Sequence, residues 1–251
     1  MPNPMFHIAL ALDSRASLSH PVIENNLGSY LLGSCSPDIR IITHGDRGDT
    51  HFVPLDNQLL GEGTRNLFKA YPALADAASL SERTQAFLAG YISHLMADEA
   101  WIIRMYRPYF TSLGPFKDQV EANVMDRAAQ LSMDQEALDR HNGMRDVTGL
   151  LGDADVGVDL SFLPSETLAE WRDWVEAATQ REFNWERLRG LSTRRQDPDE
   201  EERARQFAEG FLDSLPDSLD RLHDKVPVEA LHSYKDVAMQ EWATVVEEFL
   251  P

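Results

Sequence analysis

The stretch from residue 84 to about residue 107 constrains this chain most. Phe87, Leu88, Tyr91, Leu95, Ile102 and Met105 recur there at helical spacing, which predicts one long helix. Inside it, His94 and Asp98 stand four residues apart, and residues four apart share one helical face. An imidazole and a carboxylate one turn apart can address the same cation, and both suit a borderline metal such as zinc. The helical period dominates elsewhere too, so the fold class read from the sequence is all-α. Strand-like alternation is scarce, and residues 40–43 (RIIT) are its best exception.

Further helices are expected over residues 5–13, over 21–33 with Gly33 as terminator, and over 64–80 with an interruption at Pro72. The helix bearing His94 should end at Pro108, and others follow at 115–131 and 134–150. Ser165 reads as an N-cap before a stripe of Leu168, Trp171, Val175 and Ala178. The acidic run 197–202 suits the positive end of a helix anchored by Phe207 and Phe211, and a final helix spans 227–249. Between the second and third helices, residues 34–63 read as a long loop rich in Gly, Asp, Pro and Ser. Loops of that length are unusual in compact domains and often functional. We therefore expect a metal-binding helical core over residues 1–150, with residues 151–251 as additional helices packing on it.

Charge narrows the partners. The chain has 23 basic and 42 acidic residues, a formal charge of -19. Such a surface repels nucleic acid and anionic membranes. A small anionic substrate stays open, because a bound divalent cation reverses the local field. One cysteine, Cys35, rules out an internal disulfide. Residues 1–13 lack a basic segment and carry too short an apolar run for a signal peptide. No stretch approaches the roughly 20 apolar residues that cross a bilayer. The expected address is the cytoplasm, with no membrane span.

Five residues of metal-ligand type stand out in order: His7, Asp38, His51, His94 and Asp98. His7 lies on the first apolar helix, Asp38 follows Pro37, and His51 sits later in the long loop. Imidazole and carboxylate ligands in this mix suit one or two divalent cations that can share a carboxylate. Such a site makes bound water acidic and clamps phosphoryl oxygens. Arg47, near His51, can hold a phosphate oxygen by a two-pronged hydrogen bond.

The order of these segments resembles a known family. A His near the N-terminus, then residues 32–38 (LGSCSPD), 47–52 (RGDTHF) and 90–101 (GYISHLMADEAW), is similar to bacterial zinc-dependent phospholipase C-related proteins. That group shares its helical fold with the P1-type nucleases. The resemblance spans roughly residues 1–130 and lies in the ordered set, not in any single motif. It implies a multi-helix phospholipase C-like bundle with a long metal-binding loop. It implies zinc held by His7, Asp38, His51, His94 and Asp98, and phosphoester hydrolysis by metal-activated water. The catalytic candidates are Asp38 and, from its own chemistry as a phosphate clamp, Arg47. The chain also departs from the family. Met1 precedes His7, whereas the secreted enzymes use a processed N-terminal amino group as a ligand. Residues 119–126 contain no His where the family has a His-x-x-x-Glu, leaving Asn123 or Asp126 as substitutes and His141 outside the motif. One or two ions are therefore expected, not three.

Other features carry less. Glu99 falls about 100° round the helix from Asp98, a placement for a supporting or solvated group. His44 lacks motif support, and Trp101 reads as core. Cys35 has no fixed base for nucleophilic chemistry. Arg47-Gly48-Asp49 spells an adhesion tripeptide by coincidence, and the His223-Asp224 doublet has too little chain after it to complete a metal site. No phosphate-binding or dinucleotide glycine loop occurs. The leading expectation is a zinc phosphoesterase acting on a small phosphoester. The alternatives are a metal-stabilised helical module without turnover, and a metal-free interaction protein with an acidic face.

Overall fold

The computed structural model describes residues 2–192 and 197–251, and within them every regular element is helical. The chain opens with α1 (Pro4–Leu18), α2 (Pro21–Asn25) and α3 (Leu27–Cys35). A 3-10 turn at Ser36–Ile39 leads to two four-residue turns, α4 (Arg40–Thr43) and α5 (Gly48–His51), and then α6 (Glu62–Ala70). The axial helix α7 (Glu82–Ala100) runs through a π-helical segment, Trp101–Tyr106, into α8 (Arg107–Phe110). Next come α9 (Gln119–Arg140), α10 (Arg145–Leu151), α11 (Ser165–Thr179) and α12 (Arg187–Ser192). The chain finishes with α13 (Pro198–Asp213), α14 (Asp217–Lys225) and α15 (Val228–Phe249).

The differences from expectation have local causes. Residues 40–43 form a helical turn, closed by the His44 amide donating to the Arg40 carbonyl. Among the described residues there is no strand for them to pair with. Gly33 does not end its helix but lies inside α3, for a packing reason given below. The long loop is broken by short helical turns, which satisfy much of its backbone locally. Pro108 does not stop the ligand helix. The wider π register precedes it, and Pro108 sits in the first turn of α8, where its missing N–H matters least. Ser165 is the first helical residue of α11, and Pro164 takes the cap position.

Every residue from 84 to 100 is buried, so α7 beyond its first two residues has no solvent face. A helix hidden all round belongs at the centre of a bundle. Glycine lets α3 lie directly against it. A Cβ on Gly90 would come within 1.9 Å of the Tyr30 carbonyl oxygen, and one on Gly33 within 2.0 Å of the Phe87 carbonyl oxygen. The two backbones therefore touch at two reciprocal points. One apolar cluster gathers α1, α3, the first half of α7, α10, α11 and the end of α15, with Trp171 and Trp242 fully buried in it. A second gathers Trp101, Met105 and Phe110 with α9, α13, α14 and the first half of α15, including Tyr234. Both clusters draw on residues from either side of position 150.

The start of α1 is fastened from α9. Asn3 Nδ2 donates to Asp134 Oδ2 at 2.7 Å, and Arg187 lies 3.5 Å from the same oxygen. Asp134 is fully buried, and burial pushes its carboxyl up to about 7. A carboxyl raised on folding binds its proton more tightly in the folded state. Its contribution to stability is complete below the unfolded value, near 4, and is lost as pH rises through about 7. Asp134→Asn, a neutral isostere, should remove this loss. Its unfolding free energy relative to wild type should become more favourable between pH 5 and pH 8, by at most about 1.4 kcal/mol per pH unit. A difference that stays constant across that range excludes the effect.

Gly90→Ala should destabilise by about 3 kcal/mol, because the methyl meets backbone that cannot swing aside. Gly149→Ala, in α10 with nothing within 4 Å of the new Cβ, should be neutral or stabilising by up to about 1 kcal/mol. Denaturant midpoints of the two variants check the contrast.

Candidate metal centre

Four elements converge on one point. α1 delivers His7 one turn beyond Pro4, the 3-10 turn delivers Asp38, and α5 ends on His51. α7 contributes His94 and Asp98. After His51 the chain turns sharply, with Phe52 at φ 59°. Tyr91 on α7 donates its hydroxyl proton to the Thr50 carbonyl at 2.5 Å, which ties the His51 turn to the axial helix.

Asp98 is the hub. Its Oδ1 lies 3.5 Å from His7 Nε2, and its Oδ2 lies 3.1 Å from His51 Nε2 and 3.7 Å from His94 Nε2. His51 Nε2 is also 3.8 Å from Asp38 Oδ1. The His7 and His94 rings stack, with centroids 3.7 Å apart and planes 14° apart. His7, His51, His94 and Asp98 are at most 1% exposed, whereas the Asp38 side chain is 18% exposed and forms the open edge.

Two overlapping sets have ligand atoms within 4.8 Å of one another: His7, His94 and Asp98, and Asp38, His51 and His94. His94 is common to both sets, and Asp98 contacts histidines of both. His94 Nδ1 lies 2.9 Å from the Ser34 carbonyl oxygen, which fixes the proton on Nδ1 and turns the Nε2 lone pair inward. His51 Nδ1 similarly lies 3.1 Å from Thr50 Oγ1. His7 Nε2, His51 Nε2, His94 Nε2 and Asp98 Oδ1 are all buried without a hydrogen-bond partner. Each such group costs about 1–3 kcal/mol when left unmet. A cation that accepts nitrogen and oxygen ligands satisfies all four together, and this donor set fits zinc.

Electrostatics favour the ligand forms of His7, His51 and Asp98, but not that of His94. Burial, reinforced by the neighbouring His94, lowers His7 to about 4 against the pull of Asp98. Burial also lowers His51, although Asp98 opposes it. Burial works against the charged form of His94, yet the negative charge of Asp98, 3.7 Å away, outweighs it and the value rises, so a metal at His94 Nε2 displaces a proton. For Asp98, burial acts upward but the His94 charge and the His51 and His7 contacts hold the carboxyl well below the usual range. A neutral His7 and His51 facing an ionised Asp98 need no proton loss before binding a metal.

Arg47 stands at the edge of the cluster. It donates to the Val53 carbonyl at 3.0 Å and to Asp98 Oδ2 at 3.1 Å. It also lines an adjoining cavity of about 590 Å³ with Phe52, Val53, Leu55, Asn66 and Ala70. Arg47 therefore contacts the cluster through Asp98 and also contributes to the cavity lining, which includes none of the five cluster residues.

Other residues weighed in the sequence lie elsewhere. Asp126 is taken by Trp101 Nε1 at 3.0 Å and Gln130 Nε2 at 2.8 Å, and Asn123 accepts from the Tyr106 hydroxyl at 3.1 Å. His141 pairs with Asp13 at 3.1 Å. His44 is an exposed left-handed cap. Cys35 is buried, and burial pushes its thiol up, away from the reactive thiolate. Ser34, Thr50 and Tyr91 escaped the sequence reading. Ser34 acts through its carbonyl and Tyr91 on a backbone oxygen, and a residue letter carries no signal of either.

Residues 5–101 match the family model of zinc-dependent phospholipase C, and the segment contains His7, Asp38, Arg47, His51, His94 and Asp98. No curated protein and no solved structure matches the chain significantly. None of the described helices is long and apolar enough to cross a membrane. The match and the two His/Asp groups together support zinc as the cofactor and a metal-dependent hydrolase as the class. Over residues 5–101, this chain is similar to the zinc-dependent phospholipase C family.

Proposed function

We propose that the chain is a zinc-dependent phosphoesterase acting on a small phosphoester, with His7, Asp38, His51, His94 and Asp98 as metal ligands. The observation that carries this reading is the convergence of four buried, unpartnered ligand atoms beside an Asp38 that stays partly open. Zinc, when bound, supplies a Lewis acid and an acidic water at neutral pH. The chain supplies the rest. Ser34 holds the proton on His94 Nδ1 so that Nε2 stays available. Asp38, at the exposed edge, can accept the proton of an attacking water at a carboxylate oxygen. Arg47 contributes to the cavity lining, and a planar guanidinium is the group best shaped for two phosphoryl oxygens. Its contacts to Asp98 and to the Val53 carbonyl hold it where the cluster meets the cavity. The acidic surface disfavours nucleic acid, so a small substrate reached through the cavity suits the charge better.

One observation favours a second reading, a metal-stabilised helical module without turnover. Four of the five ligands are almost wholly buried, and closed coordination marks structural zinc sites.

Elemental analysis of the wild type beside Asp98→Ala, with a chromogenic phosphodiester and phosphomonoester assayed on the same samples, tests both. The expected result is one or two zinc per chain with turnover, and loss of both in the variant. Zinc without turnover of either ester selects the second reading. Equal zinc in wild type and variant sinks the ligand assignment.

A further inference from the structure

Glu99 lies next to Asp98 on α7 but faces a different element. It is 1% exposed, and its two carboxylate oxygens accept from two backbone amides, Gly63 at 2.6 Å and Glu62 at 3.2 Å. These are the first amides of α6, which has no side-chain cap of its own. A carboxylate there meets both the unpaired N–H groups and the positive end of the helix. The contact is close: a Cβ on Gly63 would come within 2.7 Å of Glu99 Oε1 and within 2.9 Å of the His51 carbonyl oxygen. Gly63 thus sits between the Glu99 carboxylate and the backbone of His51. A second tie runs the same way, with Asn66 Nδ2 on α6 donating to the Phe52 carbonyl at 2.9 Å. The start of α6 is therefore gripped by α7 on one side and pressed against residues 51–52 on the other.

We propose that Glu99 is a positioning residue for His51, acting through the first turn of α6. Adjacent carboxylates divide the labour of one helix. Asp98 addresses the metal cluster, and Glu99, about 100° round the axis, clamps the chain segment that brings His51 to it. The inference rests on the zinc-site reading above, and it assigns Glu99 no contact with metal or substrate. Supporting contacts of this kind alter metal affinity by about 10–100-fold when removed.

The test uses the full chain and two readouts. Zinc affinity is measured by chelator competition for the wild type, Glu99→Ala, Glu99→Gln and His51→Ala. Cobalt(II) spectra at saturation then report the coordination of each. Glu99→Ala should bind zinc about 10–100-fold more weakly, and its cobalt spectrum should shift toward that of His51→Ala. Glu99→Gln keeps one acceptor oxygen and should recover part of both; it also serves if the alanine variant fails to fold. Wild-type affinity in both Glu99 variants overturns the proposal. So does weakened affinity with an unchanged cobalt spectrum, which marks general loosening. A wild type that takes up no zinc defeats the zinc-site reading itself, and this proposal with it.

Discussion

The backbone contact between α3 and α7 sets the dimensions of everything around the site. Gly33 and Gly90 let two helices approach until main-chain atoms touch, closer than any side chain permits. At that separation His94 Nδ1 reaches the Ser34 carbonyl, and the 3-10 turn that follows α3 places Asp38 beside His51. A wider crossing would break the Ser34 bond and release the imidazole ring. The orientation of the ligands thus follows from the absence of two side chains, one step removed from the chemistry.

The helical class and the local half of the site were legible in the sequence. His94 and Asp98 are four apart on one helix, so their proximity follows from geometry alone. His7, Asp38 and His51 were legible only as an ordered resemblance, because tertiary packing brings them together and no short-range spacing encodes it. Gly33 shows the opposite case. Glycine after a periodic segment normally signals a helix end, but here close packing overrides that preference and the helix continues. Residues 40–43 show the same tension, because β-branched residues favour strands only where a neighbouring strand exists.

Glu99 illustrates what a single letter can and cannot reveal. Its angular offset from Asp98 predicted a supporting or solvated group, and the carboxylate is in fact buried on the amides of α6. Sequence gives the direction in which a helical side chain points. It does not give what waits there, and for a carboxylate that decides between a solvated charge and a helix cap.

The axial rod has a consequence for energetics. Residues through Met96 belong to the first apolar cluster, and residues from Ala97 to the second, so His94, Asp98 and Glu99 straddle the seam. α15 packs into both clusters, through Trp242 on one side and Tyr234 on the other. A candidate ligand set at such a seam would be thermodynamically linked to both halves. On the proposed zinc site, whatever loosens the C-terminal helices would be read as weaker ion binding, and whatever the ion contributed would be shared by helices that never touch it.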